Sequence, residues 1–533
     1  MARAHSLGSG SQAAVGDPAH GWFVMASQVG NVSGPAIAVS RASSRAPGRA
    51  LLAAGLIAFS VMMACYCVFI VTHPMDRWMS PADLHVYRLG GKVVAQVAPT
   101  YNVGVAAPLY DWPGDGLKFT YTPFAAMVFT VLWLPSWTLL LKLSIGASIA
   151  AMCAAIWATL GGLGYRAGMA RLGGTLLLAA ALFWTEPVQR TLYLGQIELV
   201  LMALIIWDMS QPDRRWWKGA GVGLAAGIKL VPLVFIPYLL LTRRFREAVV
   251  AGATFVATVV LGFVVLPADS RVWWLHGLFL QGSRTGFIGW EGNQSLQAII
   301  TRFAGSIAAG QPVWLIAAFV TLVVGIASAV ALDKAGHRTV AVLTCALTGL
   351  LVSPVSWDHH WVWVVPAVTV LVVYGIRSRA AVRWAYLAGA ALLAGLFGAW
   401  PGFLWRQPLD LGGFSEGLIW IPPNTNPGTS AQLGDRPWYA EYHWHGSQLI
   451  TGNLFVLTGI AVFLLLAAVA VRQAQARHRV ETARAALVAS AEPVTARLLV
   501  AEAARSRESP SRESPSWESP SWESPQPGPS GAA

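Results

Sequence analysis

The sequence predicts an all-α polytopic membrane protein, and three observations carry that prediction. Of its 533 residues, 55% are hydrophobic and 12% charged, whereas soluble domains carry roughly a quarter charged residues. Apolar runs of about 20 residues, enough to cross a hydrocarbon core of roughly 30 Å, recur between Leu51 and Val471. The basic residues gather in short segments between those runs, as cytoplasmic loops require. A soluble enzyme is excluded. The net charge of +12 sets orientation and gives no reason to expect nucleic acid.

Taken in order, a polar arm runs to about Arg49 and reads as disordered and cytoplasmic. Leu51 to Thr72 is too long for a cleaved signal core and reads as a retained anchor crossing outward. An outer stretch, His73 to Tyr121, follows; Phe124 to Leu134 is a broken segment, and the next run returns inside near Arg166 and Arg171. Leu172 to Thr185 goes out and Gln196 to Met209 comes back to Arg214, Arg215 and Lys218. Gly219 to Leu241 has basic flanks at both ends, so it reads as a re-entrant pair bent at Pro232, with Gly219, Gly223 and Gly227 suited to close packing.

Ala248 to Leu266 then goes out, and Asp269 to Gln311 is an aromatic outer segment. Val313 to Leu332 comes in, Val340 to Val352 goes out and Trp361 to Gly375 returns to Arg377. Trp384 to Leu404 goes out, Trp405 to Ser447 is a second large outer loop and Leu449 to Val471 ends inside. The count is about ten crossings by the ~20-residue rule, with both termini cytoplasmic. Residues 50–472 form the membrane domain and 473–533 a cytoplasmic tail. The tail holds a surface helix over Val480 to Ala504 and the repeats SRESP, SRESP, SWESP, SWESP from Ser506 to Pro525, whose composition cannot bury a core.

This threading gathers the reactive side chains on the outer side: Asp76, Asp83, His85, Arg88, Asp111, Asp115, Lys118, Glu186, Arg190, Arg284, Glu291, Asn293, Asp358, His359 and His360. Ionisable groups at helix ends facing one compartment mark a site there. Asp83, in SPADLHVYR, is placed to take a proton from a sugar hydroxyl, or else to cap a short helix after Ser80-Pro81. Asp358, His359 and His360 follow SPVSW; they orient a nucleophile, bind phosphate or form a polar belt beside Trp357, Trp361 and Trp363. Neighbouring histidines on a helix point about 100° apart, so a metal is not expected there. No cofactor is expected either.

Leu194-Gly195-Gln196 opens a span with Glu198 just inside, and Gln196 offers donors and an acceptor to a ligand; helix packing explains Gly195 alone. Lys229, in GIKLVP, reads as snorkelling or satisfying freed carbonyls, outside the reaction. Asn293 and Asn31 match the short glycosylation triplet. The 25 tryptophans, Trp405 among them, serve as interfacial anchors or sugar-stacking platforms. The four cysteines, Cys65, Cys67, Cys153 and Cys345, sit in apolar runs and read as small hydrophobes.

These segments resemble the actinobacterial polyprenol-phosphate-mannose-dependent α-(1→2)-mannosyltransferases of the glycosyltransferase C superfamily. The resemblance is carried, in order, by DLHVYRLGG at Asp83, PLYD at Pro108, FTYTPFAAMVF at Phe119, LGQIELVLMALI at Leu194, GIKLVPLVFIPYLLLTRRFR at Gly227, GNQSL at Gly292, SPVSWDHHWVW at Ser353 and HWHGSQLITGNLFVL at His443. One departure is Tyr121-Thr122-Pro123-Phe124 in place of Tyr-Pro-Pro-Phe; Pro123 keeps the break.

The resemblance implies a helical bundle with re-entrant segments, a polyprenyl-phosphate sugar donor in an apolar groove, and mannose transfer to a glycolipid or lipoglycan acceptor on the outer face of the plasma membrane. It implies Asp83 as catalytic base and His359 and His360 as the histidines of the same cavity. His85, Tyr87, Arg88, Tyr121, Gln196, Arg284, Asn293 and Asp358 are the candidate substrate-binding residues. A polyprenyl-phospho-arabinose-dependent arabinofuranosyltransferase is the nearest rival. A lipid or sugar transporter is a further one, although it predicts matching halves and mid-membrane charges, and no matching halves are present.

Overall fold

The computed structural model describes residues 45–97, 108–111, 118–400, 416–425 and 435–507. Asn31, Asp115, Trp405, the arm up to residue 44 and the repeats from residue 508 lie outside them, as do the side chains of Asp76 and Asp111. The described residues are helical, with isolated β-bridges at Thr185–Gly398, Asn293–Trp357 and Ala399–Gly417 and no strand. Two compact units are distinguished, Met1–Ala474 and Gln475–Ala533.

Among the described residues, six helices are long and apolar enough to cross a membrane: Gly48–Thr72, Trp137–Gly162, Phe245–Val265, Ile307–Lys334, Asp358–Arg377 and Leu454–Ala483. Glu186–Leu194 and Glu198–Ser210 make a seventh span if the pair is taken as one, bent by 119°. The count of about ten crossings is not confirmed on length and composition. Five of the apolar segments are shorter: Pro123–Trp133, Met169–Leu182, Val231–Leu241, Arg338–Val352 and Ala380–Leu396. Arg338–Val352 has Ala341, Val342, Thr344, Cys345 and Ala346 buried, and a helix apolar on every side because protein surrounds it reads like a span in hydropathy alone. Lipid-facing helices instead leave side chains such as Leu315, Ile316 and Phe319, or Val256, Val260 and Val264, exposed.

Small residues bring helices together. A Cβ on Gly55 would lie 2.4 Å from Gly173 O, so helix α1 (Arg45–Thr72) meets the helix Met169–Leu182 backbone to backbone. Gly219, Gly223 and Gly227 do the same against Phe245–Val265, where a Cβ would meet Glu247 O at 2.2 Å, Ala251 O at 2.3 Å and Thr258 Oγ1 at 2.5 Å. Both segments read as broken are broken. Pro123–Val128 passes into a 3₁₀ turn at Phe129–Trp133. Ala220–Ile228 stops at an extended Lys229, and a 3₁₀ turn, Val231–Val234, precedes Phe235–Leu241.

The two breaks are tied together. Thr122 caps the helix that Pro123 opens, its hydroxyl oxygen accepting from Ala125 N at 3.1 Å, and the same hydroxyl donates to Gly227 O at the end of the other broken helix. A proline at 122 could form neither bond. In the second unit, residues 475–507 are helical, a stretch that includes Val480 to Ala504.

Candidate active site

Helix α2 (Ala82–Lys92) carries Asp83 in its first turn, behind Pro81. No side chain caps this helix; the Asp83 carboxylate accepts instead from Gln196. Gln196 reaches it because Gly195 ends the helix Glu186–Leu194 in the left-handed region, at φ 68°, with Leu84 Cβ only 2.6 Å from where a Cβ would stand. A residue other than glycine there would be strained and would push α2 away.

Behind Gln196 stand two tyrosines. Tyr87 OH donates to Gln196 Oε1, and Tyr121 OH lies 2.7 Å from Tyr87 OH. With its carbonyl oxygen held by a phenol, the amide of Gln196 turns its NH₂ to Asp83. Burial pushes both phenols well up, so they remain protonated donors. Burial also pushes the Asp83 carboxyl up, while His359, the bond from Gln196, Lys229 and Arg190 hold it back.

The histidine segment Asp358–Trp363 is a buried 3₁₀ turn, not an α-helix. Asp358 N donates to Gly292 O at 2.8 Å, and Asp358 Oδ1 accepts from His359 N at 2.8 Å and lies 2.9 Å from His359 Nδ1. Arg190 Nε stands 3.1 Å from Asp358 Oδ2. Asp358 thus orients His359 rather than facing a ligand. His360 Nε2 lies 2.8 Å from Lys229 Nζ, which is also ion-paired with Glu198.

Asp83, Tyr121, Gln196, Arg284 and His360 line one cavity of about 1020 Å³, together with Lys118, Lys229, Trp273, Gln297, Gln311, Trp314 and Trp357. Apolar residues, among them Val231, Val234, Pro237, Leu278, Ala318 and Leu322, line the rest of it. Arg284 donates to Tyr110 O at 2.8 Å at its rim. Tyr87 and His359 back the wall without lining it.

Three candidates stand apart from this cavity. His85 is exposed and edge-on to Trp137. Arg88 donates to Pro135 O at 3.0 Å and lies over the rings of Trp133 and Trp137. Asn293 is fully buried and fastens the histidine loop: its amide donates to Ile288 O and Pro354 O, and its oxygen accepts from Ser356 N at 2.9 Å. So buried an amide is also out of reach of glycosylation in the folded chain.

Conversely, Lys229, which the sequence places outside the reaction, lines the cavity, and Glu198 is ion-paired with it. Their signal was present: an ionisable residue within an apolar, broken segment marks a site by default.

The chain matches the family model of glycosyltransferase family 87 over residues 119–354. It is 34% identical over 323 residues, covering 58% of this chain and 75% of the relative, to a protein of Mycobacterium tuberculosis (strain ATCC 25618 / H37Rv) named polyprenol-phosphate-mannose-dependent alpha-(1-2)-phosphatidylinositol mannoside mannosyltransferase. Two further relatives are named polyprenol-phosphate-mannose-dependent alpha-(1-2)-phosphatidylinositol pentamannoside mannosyltransferase. One, from Mycobacterium tuberculosis (strain CDC 1551 / Oshkosh), is 32% identical over 71% of this chain and 80% of its own length. The other, from Mycolicibacterium smegmatis, is 33% identical over 71% and 84%. No solved structure matches the chain.

Proposed function

The chain belongs to glycosyltransferase family 87, and from that membership we propose that it moves mannose from polyprenyl-phospho-mannose to a glycolipid or lipoglycan acceptor. Transfer makes an α-(1→2) link on the outer face of the plasma membrane, with Asp83 as base. The observation that carries the reading is Asp83 itself, a carboxylate in the wall of a cavity with cationic and apolar linings. Those linings suit a phosphate and an isoprenoid chain, respectively.

The chemistry needs one base. For a β-linked donor and an α-linked product the anomeric carbon inverts in a single displacement. The acceptor O–H gives its proton to Asp83, the acceptor oxygen bonds to the anomeric carbon, and the bond from that carbon to the phosphate oxygen breaks with its electron pair. Polyprenyl phosphate departs without needing a proton. Gln196 aims the carboxylate, and His359, held by Asp358, supplies a polarisable neighbour. Burial works in the base's favour: a carboxyl pushed up is more basic, so it takes a hydroxyl proton more readily.

Product analysis tests this. Membranes containing the full chain are given labelled polyprenyl-phospho-mannose or polyprenyl-phospho-arabinose with a phosphatidylinositol mannoside acceptor, and linkage is read from the product. An α-(1→2)-mannoside from the first donor only is expected. Arabinose transfer, or label crossing a sealed vesicle with no glycosidic product, would replace the reading with one of its rivals.

A further inference from the structure

Charges within apolar segments are costly and persist where they are used. Lys229 is such a charge. It sits at the break between Ala220–Ile228 and Val231–Val234, with extended backbone (φ −139°, ψ 131°), and its side chain lines the cavity that holds Asp83. Non-helical backbone within an apolar segment is tolerated where it borders a polar cavity.

Its surroundings resemble a cation cage. Glu198, His359 and His360 each offer a ligand atom, all within 4.8 Å of one another. The Lys229 ammonium already engages two of the three, bonded to Glu198 Oε1 and 2.8 Å from His360 Nε2. An ammonium carries three N–H donors, and those two bonds use two of them. The Tyr121 ring centroid lies 5.8 Å from Nζ, and the Asp83 carboxyl feels the ammonium's field. The remaining donor has the cavity before it.

We propose that Lys229 binds the phosphate of the lipid-linked donor and stabilises it as it leaves, supplying in this cavity the fixed positive charge that a divalent ion supplies elsewhere. The inference rests on the donor class proposed above. As the bond to the anomeric carbon breaks, the electron pair passes to the phosphate oxygen and a diester monoanion becomes a monoester dianion. Lys229 meets that second charge, so its attraction grows toward the transition state. It neither gives nor takes a proton; the acceptor proton goes to Asp83. Glu198 and His360 are positioning residues, pinning a flexible four-carbon side chain so that little freedom is lost on binding.

The test uses the purified full chain in nanodiscs and two probes, a polyprenyl phosphate and the corresponding polyprenol. Wild type is expected to prefer the phosphate, with or without chelator. Lys229→Met should weaken phosphate binding roughly ten- to a hundredfold, the range for a charged hydrogen bond, and leave polyprenol binding unchanged. Because Lys229→Met strands a buried Glu198, the pair Lys229→Met with Glu198→Gln removes both charges and should show the same loss in a folded protein. Unchanged phosphate affinity in that pair overturns the assignment to Lys229 alone. Loss of wild-type phosphate binding on chelation overturns it in favour of a metal. A wild type indifferent to the phosphate overturns the donor class as well.

Discussion

At the scale of the residue, catalysis depends on how the half-buried carboxylate of Asp83 is kept available as a base. Burial raises Asp83, and the amide of Gln196 counters by bonding to the ionised form. A base must be unprotonated, so activity falls as pH drops through its pKa, and the acidic limb of kcat/KM should lie above the ordinary carboxylate range near 4. Gln196→Leu removes a bond that favours the charged form, so it should move that limb to still higher pH. A limb that stays in place would uncouple the two residues. Helical arithmetic sorts the neighbours of Asp83. At about 100° per residue, Tyr87 shares its face, whereas His85 and Arg88 fall well away from it. That sorting was legible in DLHVYRLGG. The partnership of Lys229 with Glu198 and His360 was not, because it joins positions 31 and 131 residues apart.

At the scale of the element, what the sequence made plain was whatever depends on local chemistry. Hydropathy gives the long spans, proline gives the start of Pro123–Val128, and glycines four apart give the close approach of Ala220–Ile228 to Phe245–Val265. What stayed hidden depends on neighbours. Length alone cannot tell a lipid-facing run from one enclosed by protein, as the largely buried Arg338–Val352 shows. Asn293 is the same lesson in a loop. GNQS offered a ligand-binding amide or a glycosylation site, and the fold uses its amide to hold Ser356 and Pro354, and with them the histidine turn. The Thr122 hydroxyl likewise looked like a departure from pattern and proves to be a tie between two broken helices.

At the scale of the whole molecule, the polar groups of the membrane unit fall into two assemblies. In one, loops bearing basic clusters are ion-paired: Asp213 with Lys218 at 2.6 Å and Arg338 at 2.8 Å, and Arg244 with Asp333 at 2.7 Å. These are loops that the basic-residue rule assigns to a single side, and they do meet in space. In the other, the histidine turn, the Asn293 loop and the segment around Trp420 converge, with Trp420 Nε1 donating to Glu186 Oε1 at 2.9 Å. Sidedness then becomes measurable. In a chain whose own cysteines are replaced, Trp438→Cys, at an exposed position, should react with an impermeant thiol reagent on intact cells. Arg243→Cys should react only after permeabilisation, and the reverse pattern would turn the assignment over.

The proposal as a whole rests on one proton acceptor, and Asp83→Asn tests it most directly, because the amide keeps the shape of the side chain and removes its basicity. Measured with polyprenyl-phospho-mannose and an acceptor lipid, the folded, membrane-inserted variant should lose about 10² to 10⁴ in transfer rate. Near-normal transfer would show that another group takes the acceptor's proton and would contradict the account.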